Sequence, residues 1–357
     1  MSDSTQPPTG SAPPAGAFQA DPPPLPPPDR RGHYVILAVV VLFLAGAGVA
    51  AWQLFERPVE GEVLYNDEKF RSTDPALIRY RETGKIAAGF NKPRGIALAA
   101  DGTLYIAGDK SVAVVGADGR RKADWPCAGE AVAVAVARDH TLYVAIHSPN
   151  AKDQPRLPDR IQVFTGGKAG EPWRPATDKS WITSIAVHPE GDVYIADFGE
   201  RAVWRYREGK NFSRLGGEGA KTLNIPSPHV DVQVAPDGLV WVVNSGEWRL
   251  EAYDREDRKV KSWGTRSFAI EGFSGCCNPA DFAILPDGRF ITSEKGLPRV
   301  KRYSAEGHFE CVVAPTEAMP NPGLKPIGFD VVAAADGRVY VLDPIARAVR
   351  IFSEVKP

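Results

Sequence analysis

The chain has 357 residues, of which 43% are hydrophobic and 24% are charged, and its formal net charge at pH 7 is −1. This ordinary globular composition excludes wholesale disorder, a collagen-like fibre and a membrane protein with many spans. Its 43 basic and 44 acidic residues leave no positive excess for binding nucleic acid. Four cysteines are too few for a scaffold built on disulfides.

Residues 1–31 are predicted to form a disordered, proline-rich cytoplasmic tail. Residues 22–28 read Pro-Pro-Pro-Leu-Pro-Pro-Pro. Such a stretch cannot bury enough apolar surface to fold, and its prolines favour an extended, solvated backbone. A tail or spacer is the simple interpretation, and docking of the prolines on an aromatic groove is the alternative.

Residues 32–55 are predicted to form a single transmembrane helix that serves as an uncleaved signal anchor. No charged residue occurs from Tyr34 to Trp52. A helix rises ~1.5 Å per residue, so this stretch would reach about 28 Å, close to the hydrocarbon thickness of a bilayer. Cleavage after the small residues at 45–47 is the alternative.

The charges beside this segment predict its orientation. Arg30 and Arg31 directly precede it, whereas the acidic residues at 56, 60 and 62 follow it. Basic residues stay on the cytoplasmic side, so the rest of the chain is predicted to lie in the periplasm or another extracytoplasmic compartment. Residues 56–75 would then be a short tether to the cell membrane.

Six related units follow residue 90. Each has an alternating apolar run, an acidic turn that usually contains glycine, and a second strand with an aromatic residue, as in Ile96 to Ala107. The acidic residues of these turns are 101, 139, 190, 237, 287 and 336. Each interval has room for four short strands. Because one such repeat cannot bury both of its faces, the sequence predicts an all-β, six-bladed β-propeller of four-stranded blades over residues 76–357.

The ends of the repeat region predict how the ring closes. The sixth repeat runs out near Phe352 without a fourth strand. Residues 78–86, ahead of the first repeat, echo the strand pattern at 204–210. An N-terminal strand that completes the last blade would remove the open edges of the sheet.

The opening motif Pro93-Arg94-Gly95-Ile96, the Asp-Gly hairpins and the segment Tyr194-Ile195-Ala196-Asp197 resemble NHL-repeat propellers. The resemblance covers about residues 75–353. NHL-type propellers include binding modules and, more rarely, amidoglycolate lyases, and related six-bladed folds include metal-dependent lactonases. The catalytic sets of those enzymes cannot be matched here residue by residue, so the resemblance implies the fold and leaves the activity open.

The longest loops of the repeats are predicted to share one face of the propeller. They are the loops between second and third strands and the links between blades, at 148–159, 216–227, 264–278 and 314–325. Long loops on a rigid scaffold usually carry function. We call this side the insertion-rich face and predict that it carries the site.

Asp231, Asp281 and Asp330 take the same position, at the start of the innermost strand, in blades four, five and six. Three interpretations are open: ligands for Ca²⁺ or another divalent metal, caps on the backbone of neighbouring blades, or direct contacts to a ligand. His147 and His229 map to the same face and would extend the set toward a transition metal. With His229 as the base, this set would make a metal-dependent hydrolase or lyase.

Aromatic and basic residues map to the same face. Trp181, Arg174 and Trp248 are predicted to bind a ligand, because such a mouth would hold a carboxylate or a sugar. Packing between blades is the alternative for the tryptophans.

The cysteines leave three arrangements open. Cys276 or Cys277 is predicted to form a disulfide with Cys311, which ends the outer strand of the same blade. The alternatives are free buried thiols and a strained bridge between the two adjacent cysteines, whose Cα atoms are only ~3.8 Å apart.

The sequence favours a membrane-tethered, extracytoplasmic binding or scaffolding module over an enzyme. It contains no nucleophile elbow, zincin motif, P-loop or dinucleotide fingerprint. An envelope protein or a membrane complex is the predicted partner, and the only cofactor considered is a divalent metal. The alternative is the metal-dependent hydrolase or lyase on the propeller axis.

Overall fold

The computed structural model describes residues 35, 37–45, 68–148, 158–217, 219, 223–319 and 328–355. The chain divides into two units, residues 1–65 and 66–357. In the first unit, residues 37–45 form a helix (α1) with exposed apolar side chains. Within the described ranges no helix is both long and apolar enough to cross a bilayer. The predicted tail at 1–31 and most of the predicted span at 32–55 lie outside these ranges.

The second unit is a six-bladed β-propeller, as the repeats predict. Short helical segments are α2 (Glu68–Arg71) and the 3₁₀ turns Pro75–Leu77, Ser245–Glu247 and Thr316–Ala318. Blade I contains β2 (Pro93–Leu98), β3 (Leu104–Gly108), β4 (Ser111–Val115) and β5 (Arg121–Pro126). Blade II contains β6 (Glu130–Val136), β7 (Leu142–His147), β8 (Arg160–Thr165) and β9 (Lys168–Ala169). Blade III contains β10 (Ile182–Val187), β11 (Val193–Asp197), β12 (Ala202–Arg207) and β13 (Lys210–Arg214).

The remaining blades repeat this antiparallel order. Blade IV contains β14 (Val232–Val234), β15 (Val240–Asn244), β16 (Arg249–Tyr253) and β17 (Lys259–Trp263). Blade V contains β18 (Asp281–Ile284), β19 (Phe290–Glu294), β20 (Arg299–Tyr303) and β21 (Phe309–Ala314). Blade VI contains β22 (Asp330–Ala333), β23 (Val339–Asp343), β24 (Ala348–Glu354) and β1 (Tyr80–Ala87). The first strand of each blade packs beside the first strand of the next, and β22 returns to β2.

The N-terminal strand closes the ring, which confirms the predicted closure. β1 pairs antiparallel with β24, from Tyr80 opposite Glu354 to Ala87 opposite Ala348. Arg350 of β24 forms an ion pair of 2.6 Å with Glu82 of β1. Chain ends far apart in sequence therefore share one sheet, and the outer edge of β24 is paired with β1.

The core lies between the blades. Six clusters of buried apolar side chains occur in the described residues, one at each interface between neighbouring blades. Tyr340 of blade VI, for example, packs in one cluster with Ile96 and Ile106 of blade I. Each sheet therefore has apolar residues on both faces, and only its two edges and its loops meet solvent.

The hairpin between the first two strands has the same geometry in every blade. Its second turn residue has a positive φ in all six, at 102, 140, 191, 238, 288 and 337. Five of these residues are glycine, whereas His140 in blade II holds a φ of 64°. A left-handed conformation costs a non-glycine residue roughly 1–2 kcal/mol.

This exception gives a stability prediction. His140→Gly should raise the free energy of unfolding by about 0.5 kcal/mol, because relief of the left-handed strain exceeds the entropy that glycine loses on folding. The matched change is Gly191→Ala, where φ is 96° and no atom lies within 4 Å of the added Cβ. It should cost about 1 kcal/mol. Chemical denaturation measures both, and a loss of stability in His140→Gly would contradict the strain argument.

Candidate functional site: a pocket on the propeller axis

A pocket of about 550 Å³ lies where the innermost strands begin. Its wall comes from all six innermost strands or the residues just before them, and from the loop after β23. These positions belong to the insertion-rich face. Residues 149–157 and 320–327 of the predicted insertions lie outside the described part of the chain. The lining includes Arg94, Ala133, His147, Trp181, Thr183, Ser184, His229, Asp231, Asp281, Asp330 and Ile345.

The structure brings the three predicted aspartates together at the floor of this pocket, and each caps the next blade. Asp231 of blade IV accepts a hydrogen bond of 3.1 Å from the N–H of Phe282 in blade V. Asp281 of blade V accepts one of 2.9 Å from Val331 in blade VI. The carboxyls act here as caps, because each accepts a hydrogen bond from a buried backbone N–H at the start of a strand in the next blade.

The same arrangement continues at two further junctions. Asp330 of blade VI accepts a hydrogen bond of 2.7 Å from the N–H of Ile96 in blade I. Ser184 of blade III accepts one of 3.4 Å from the N–H of Val232 in blade IV, and its hydroxyl also donates to Asp231. Side chains at the start of one innermost strand therefore bind the next strand at four successive junctions.

Blades I and II meet without such a side chain. Gly95 stands at the position of the aspartates, and a Cβ there would lie 3.1 Å from the Cα of Ala133 and 3.3 Å from Asp330 Oδ2. The close backbone approach requires glycine at this position. The ring is therefore polar on one side of the axis and tightly packed on the other.

Burial changes the acidity of the three carboxyls. It raises the pKa of Asp231 to about 6, although hydrogen bonds from Ser184 and two backbone amides act in the opposite direction. Burial and the charge of Asp231 raise the pKa of Asp330 to about 8. Burial and both neighbouring carboxyls hold the pKa of Asp281 well above its ordinary value. The group therefore retains protons at neutral pH.

Two other buried carboxyls in the propeller have cationic partners. Burial alone would raise the pKa of Glu294, but Lys301 and Arg299 lower it to about 2. Asp192 likewise contacts Arg205 and Arg207. Within the described ranges, no Lys, Arg or His nitrogen forms an ion pair with the three axial aspartates. Protons take the place of a counter-ion on the axis.

The two histidines lie in the pocket wall with different surroundings. Burial and the charge of Lys295 lower the pKa of His229 to about 4, so this imidazole is neutral at pH 7. A base with that pKa accepts a proton poorly at neutral pH. His147 Nε2 lies 3.0 Å from Asp159 Oδ2 and 3.0 Å from the carbonyl of Ile182. The Nε2 atom of His147 is thus held by the pocket wall and the strand behind it.

Of the predicted ligand-binding residues, one lines the pocket. Trp181 does so, with its ring edge-on to Phe198. Arg174 is exposed and lies outside the pocket lining. Trp248 is also outside it: its indole N–H donates to the carbonyl of Gly275, and Arg266 lies over its ring. A place on one of the long loops is therefore not enough to bring a side chain into the pocket.

All four cysteines are free in this structure, and the disulfide from Cys276 or Cys277 to Cys311 stays a prediction. Cys311 is buried in the apolar cluster between blades V and VI. Cys276 and Cys277 instead contact each other, with their sulfur atoms 3.0 Å apart.

The described residues contain no group of three or more His, Cys, Asp or Glu side chains that could hold a metal ion. The axial aspartates direct at least one oxygen each at a backbone N–H. Their role as ligands for Ca²⁺ or another divalent metal stays a prediction.

The sequence analysis missed several residues of the pocket wall. Arg94 stands in the opening motif of the first repeat, and its guanidinium is 3.1 Å from Glu130 of blade II. Ile345 follows β23, and Asp343 fixes its loop by accepting hydrogen bonds from the N–H groups of residues 345 and 346. Ile345 was detectable as the one large aliphatic residue in the loop between β23 and β24.

Comparison with known proteins supports the fold. No protein-family model matches the chain, and no curated protein matches it. Virginiamycin B lyase from Staphylococcus aureus is similar with a TM-score of 0.52 and 14% identity, over 74% of this chain and 82% of that one. A streptogramin B lyase gives 0.54 and 10%, over 79% and 100%. The WD40 propeller domain of Doa1 gives 0.51 and 14%, over 74% and 79%. At such identities the likeness shows a β-propeller and no activity.

The axial carboxyls predict how stability depends on pH. An unfolded aspartate has a pKa of about 3.9, whereas that of Asp330 is about 8 in the folded chain. Between these values the folded state binds more protons than the unfolded state, so the free energy of unfolding falls as pH rises. In Asp330→Asn the slope between pH 5 and 7 should become shallower, by at most about 1.4 kcal/mol per pH unit.

Denaturant titrations at several pH values measure this slope. Asp287→Asn is the matched control, because a hydrogen bond from Arg289 lowers the pKa of Asp287. Asp287 therefore changes the pH dependence of stability only at pH values below about 4. It should keep the wild-type slope between pH 5 and 7. Equal slopes in wild type and Asp330→Asn would show that the axial carboxyls are not protonated in the folded chain.

Proposed function

We propose that the chain is a binding module that holds a polar segment of a partner protein in the axial pocket. The carrying observation is the pocket itself, which combines hydrogen-bonding groups with an aromatic and an aliphatic wall. Arg94 offers a cation, the axial carboxyls offer donors and acceptors, and Trp181 and Ile345 offer apolar surface. Such a mixture suits the end or a loop of a polypeptide.

The proposal also includes where the module works. The uncharged stretch at 34–52 and the arginines before it support a single-pass anchor, with the N-terminus cytoplasmic and the propeller outside the cytoplasm. A short tether would keep the propeller near the membrane. The partner is then an envelope protein or a membrane-bound complex. We also propose that the six repeats are NHL repeats.

Site-specific cross-linking tests the pocket. A photoreactive amino acid at position 345 of the full-length chain, expressed in its membranes, should cross-link one partner protein. The same amino acid at position 338, in the hairpin on the opposite face, should not. Mass spectrometry identifies the product, and identical products from both positions would contradict binding at the pocket.

Removing the charge of Arg94 measures what this side chain of the pocket wall contributes to the affinity for the partner. Arg94→Ala should weaken capture of the cross-linked partner by about tenfold, since a charge-assisted hydrogen bond contributes roughly 1.5 kcal/mol. Arg338→Ala removes a comparable exposed ion pair, with Asp336, from the opposite face. This control should bind as the wild type does. Equal binding by Arg94→Ala and wild type would remove Arg94 from the interface.

The alternative is a metal-dependent hydrolase or lyase on the axis. The convergence of Asp231, Asp281 and Asp330 favours it, while their hydrogen bonds to backbone amides favour the role of caps. Elemental analysis of the full-length chain, purified without chelator or metal-affinity resin, separates the two. A binding module predicts no metal above background. A near-stoichiometric divalent metal that is lost in Asp281→Asn would support the enzyme instead.

A further inference from the structure

Two adjacent thiols outside the pocket lining form a contact pair. Cys276 Sγ and Cys277 Sγ are 3.0 Å apart. Cys276 is exposed, whereas Cys277 is only 4% exposed. A reagent in solution can therefore reach one sulfur atom, while protein surrounds the other.

A buried lysine faces this pair. Lys295 is 6% exposed, and its ammonium donates a hydrogen bond to Ser227 Oγ. Ser227 and Lys295 both act to lower the pKa of the Cys277 thiol. No carboxylate forms an ion pair with Lys295 in the described ranges. A buried ammonium is costly without a nearby anion, and a thiolate at Cys277 is the anion that this geometry provides for.

Hydrogen bonds hold the pair against the lysine. Asn278 Nδ2 donates to the carbonyls of Ser274 and Lys295, at 2.7 Å and 2.9 Å. Asn278 Oδ1 accepts the N–H of Lys295 at 3.0 Å. The indole N–H of Trp248 binds the carbonyl of Gly275. The loop is thus fixed on both sides of the two cysteines.

The acidities of the four thiols differ accordingly. Burial raises the pKa of Cys277, but hydrogen bonds with Ser227, Cys276 and Lys295 outweigh it and lower the pKa below its ordinary value. Its hydrogen bond to Cys277, together with burial, raises the pKa of Cys276. Burial raises the pKa of Cys127 to about 12 and that of Cys311 to about 11. At neutral pH, thiolate character is therefore confined to the adjacent pair.

We propose that Cys276 and Cys277 form a thiol–disulfide exchange site that reacts with low-molecular-weight disulfides of the glutathione type. A tetrahedral metal with metal–sulfur bonds of about 2.3 Å holds its sulfurs about 3.8 Å apart. The contact of 3.0 Å is shorter and suits a sulfur–sulfur bond. Adjacent Cα atoms are closer than in an ordinary disulfide, so the bond is readily reduced again.

The exchange proceeds in two steps. The proton of Cys276 passes to Cys277 across the sulfur–sulfur contact, and the Cys276 thiolate attacks one sulfur of the small disulfide. The disulfide bond breaks, and the first small thiolate leaves and takes a proton from water. Cys277 then loses its proton to water, and its thiolate, held by Lys295, attacks the sulfur of Cys276. A bond forms between the two cysteines, and the second small thiolate leaves and takes a proton from water. Two protein thiols are oxidised, and one disulfide is reduced to two thiols.

Redox titration of the full-length chain tests the proposal. The chain is equilibrated in mixtures of oxidised and reduced glutathione, quenched with iodoacetamide and digested with trypsin. The peptide 267–289 contains both cysteines and neither of the others. It should change from doubly alkylated to an internal disulfide as the oxidised fraction rises, and back again on reduction. Double alkylation at every ratio, or cross-linking of this peptide to Cys127 or Cys311, would overturn the proposal.

Variants separate the roles of the two sulfurs and the lysine. Cys277→Ser should accumulate a glutathione adduct on Cys276, because the resolving thiolate is missing. Lys295→Met should slow closure about tenfold, because the resolving thiol loses the cation that lowers its pKa, whereas Lys295→Arg should retain the rate. Lys261→Met, an exposed strand lysine, is the control. Thermal unfolding confirms that each variant is folded, and a wild-type rate in folded Lys295→Met would overturn the role of the lysine.

This inference does not depend on the proposed function. A chain whose axial pocket captures no partner would still close and open the bridge between Cys276 and Cys277. Conversely, a variant with both cysteines changed to serine should keep the cross-link from position 345. The two experiments therefore fail separately.

Discussion

The structure depends on the hydrogen bonds that join neighbouring blades at the axis. At four successive junctions, a carboxyl or hydroxyl of one blade accepts a backbone N–H near the start of the next innermost strand. A buried donor left without a partner costs roughly 1–3 kcal/mol. Because Asp231, Asp281 and Asp330 both make these bonds and form the pocket floor, ring stability and pocket chemistry cannot be changed independently.

The propeller neutralises its buried carboxyls in two different ways. In blade V, Glu294 is ionised between Arg299 and Lys301. The same carboxylate fixes the loop at Ser274 by accepting hydrogen bonds from its N–H and its hydroxyl. On the axis, protons replace cations, and the acids remain responsive to whatever enters the pocket. A ligand with a positive charge would displace a proton there, whereas a neutral ligand would meet hydrogen-bond donors. Ligand charge and pH are thus linked at the floor of the pocket.

Local sequence patterns determined most of the fold and little of the site's chemistry. The hairpin turns recur because their geometry needs a residue with positive φ, and the closing strand was visible as the one missing from the last repeat. The position of the three aspartates followed from the same alignment. Their partners did not, because the N–H that each carboxyl meets belongs to another blade, about 50 residues or more along the chain. Trp248 and Arg174 mapped to the correct face but not to the pocket, since the direction of a loop depends on its tertiary contacts.

The cysteine pair and the axial pocket lie on connected segments of the insertion-rich face. Ser227, which accepts the hydrogen bond from Lys295, is followed by Pro228 and His229 of the pocket lining. After Cys277 the chain reaches Ala280 and Asp281 of the same lining. The charge of Lys295 also lowers the pKa of His229. One ammonium thus acts on a thiol on one side and on the pocket on the other. No local sequence pattern pairs Lys295 with Cys277, because the two meet only where the end of β19 packs against the link between blades IV and V.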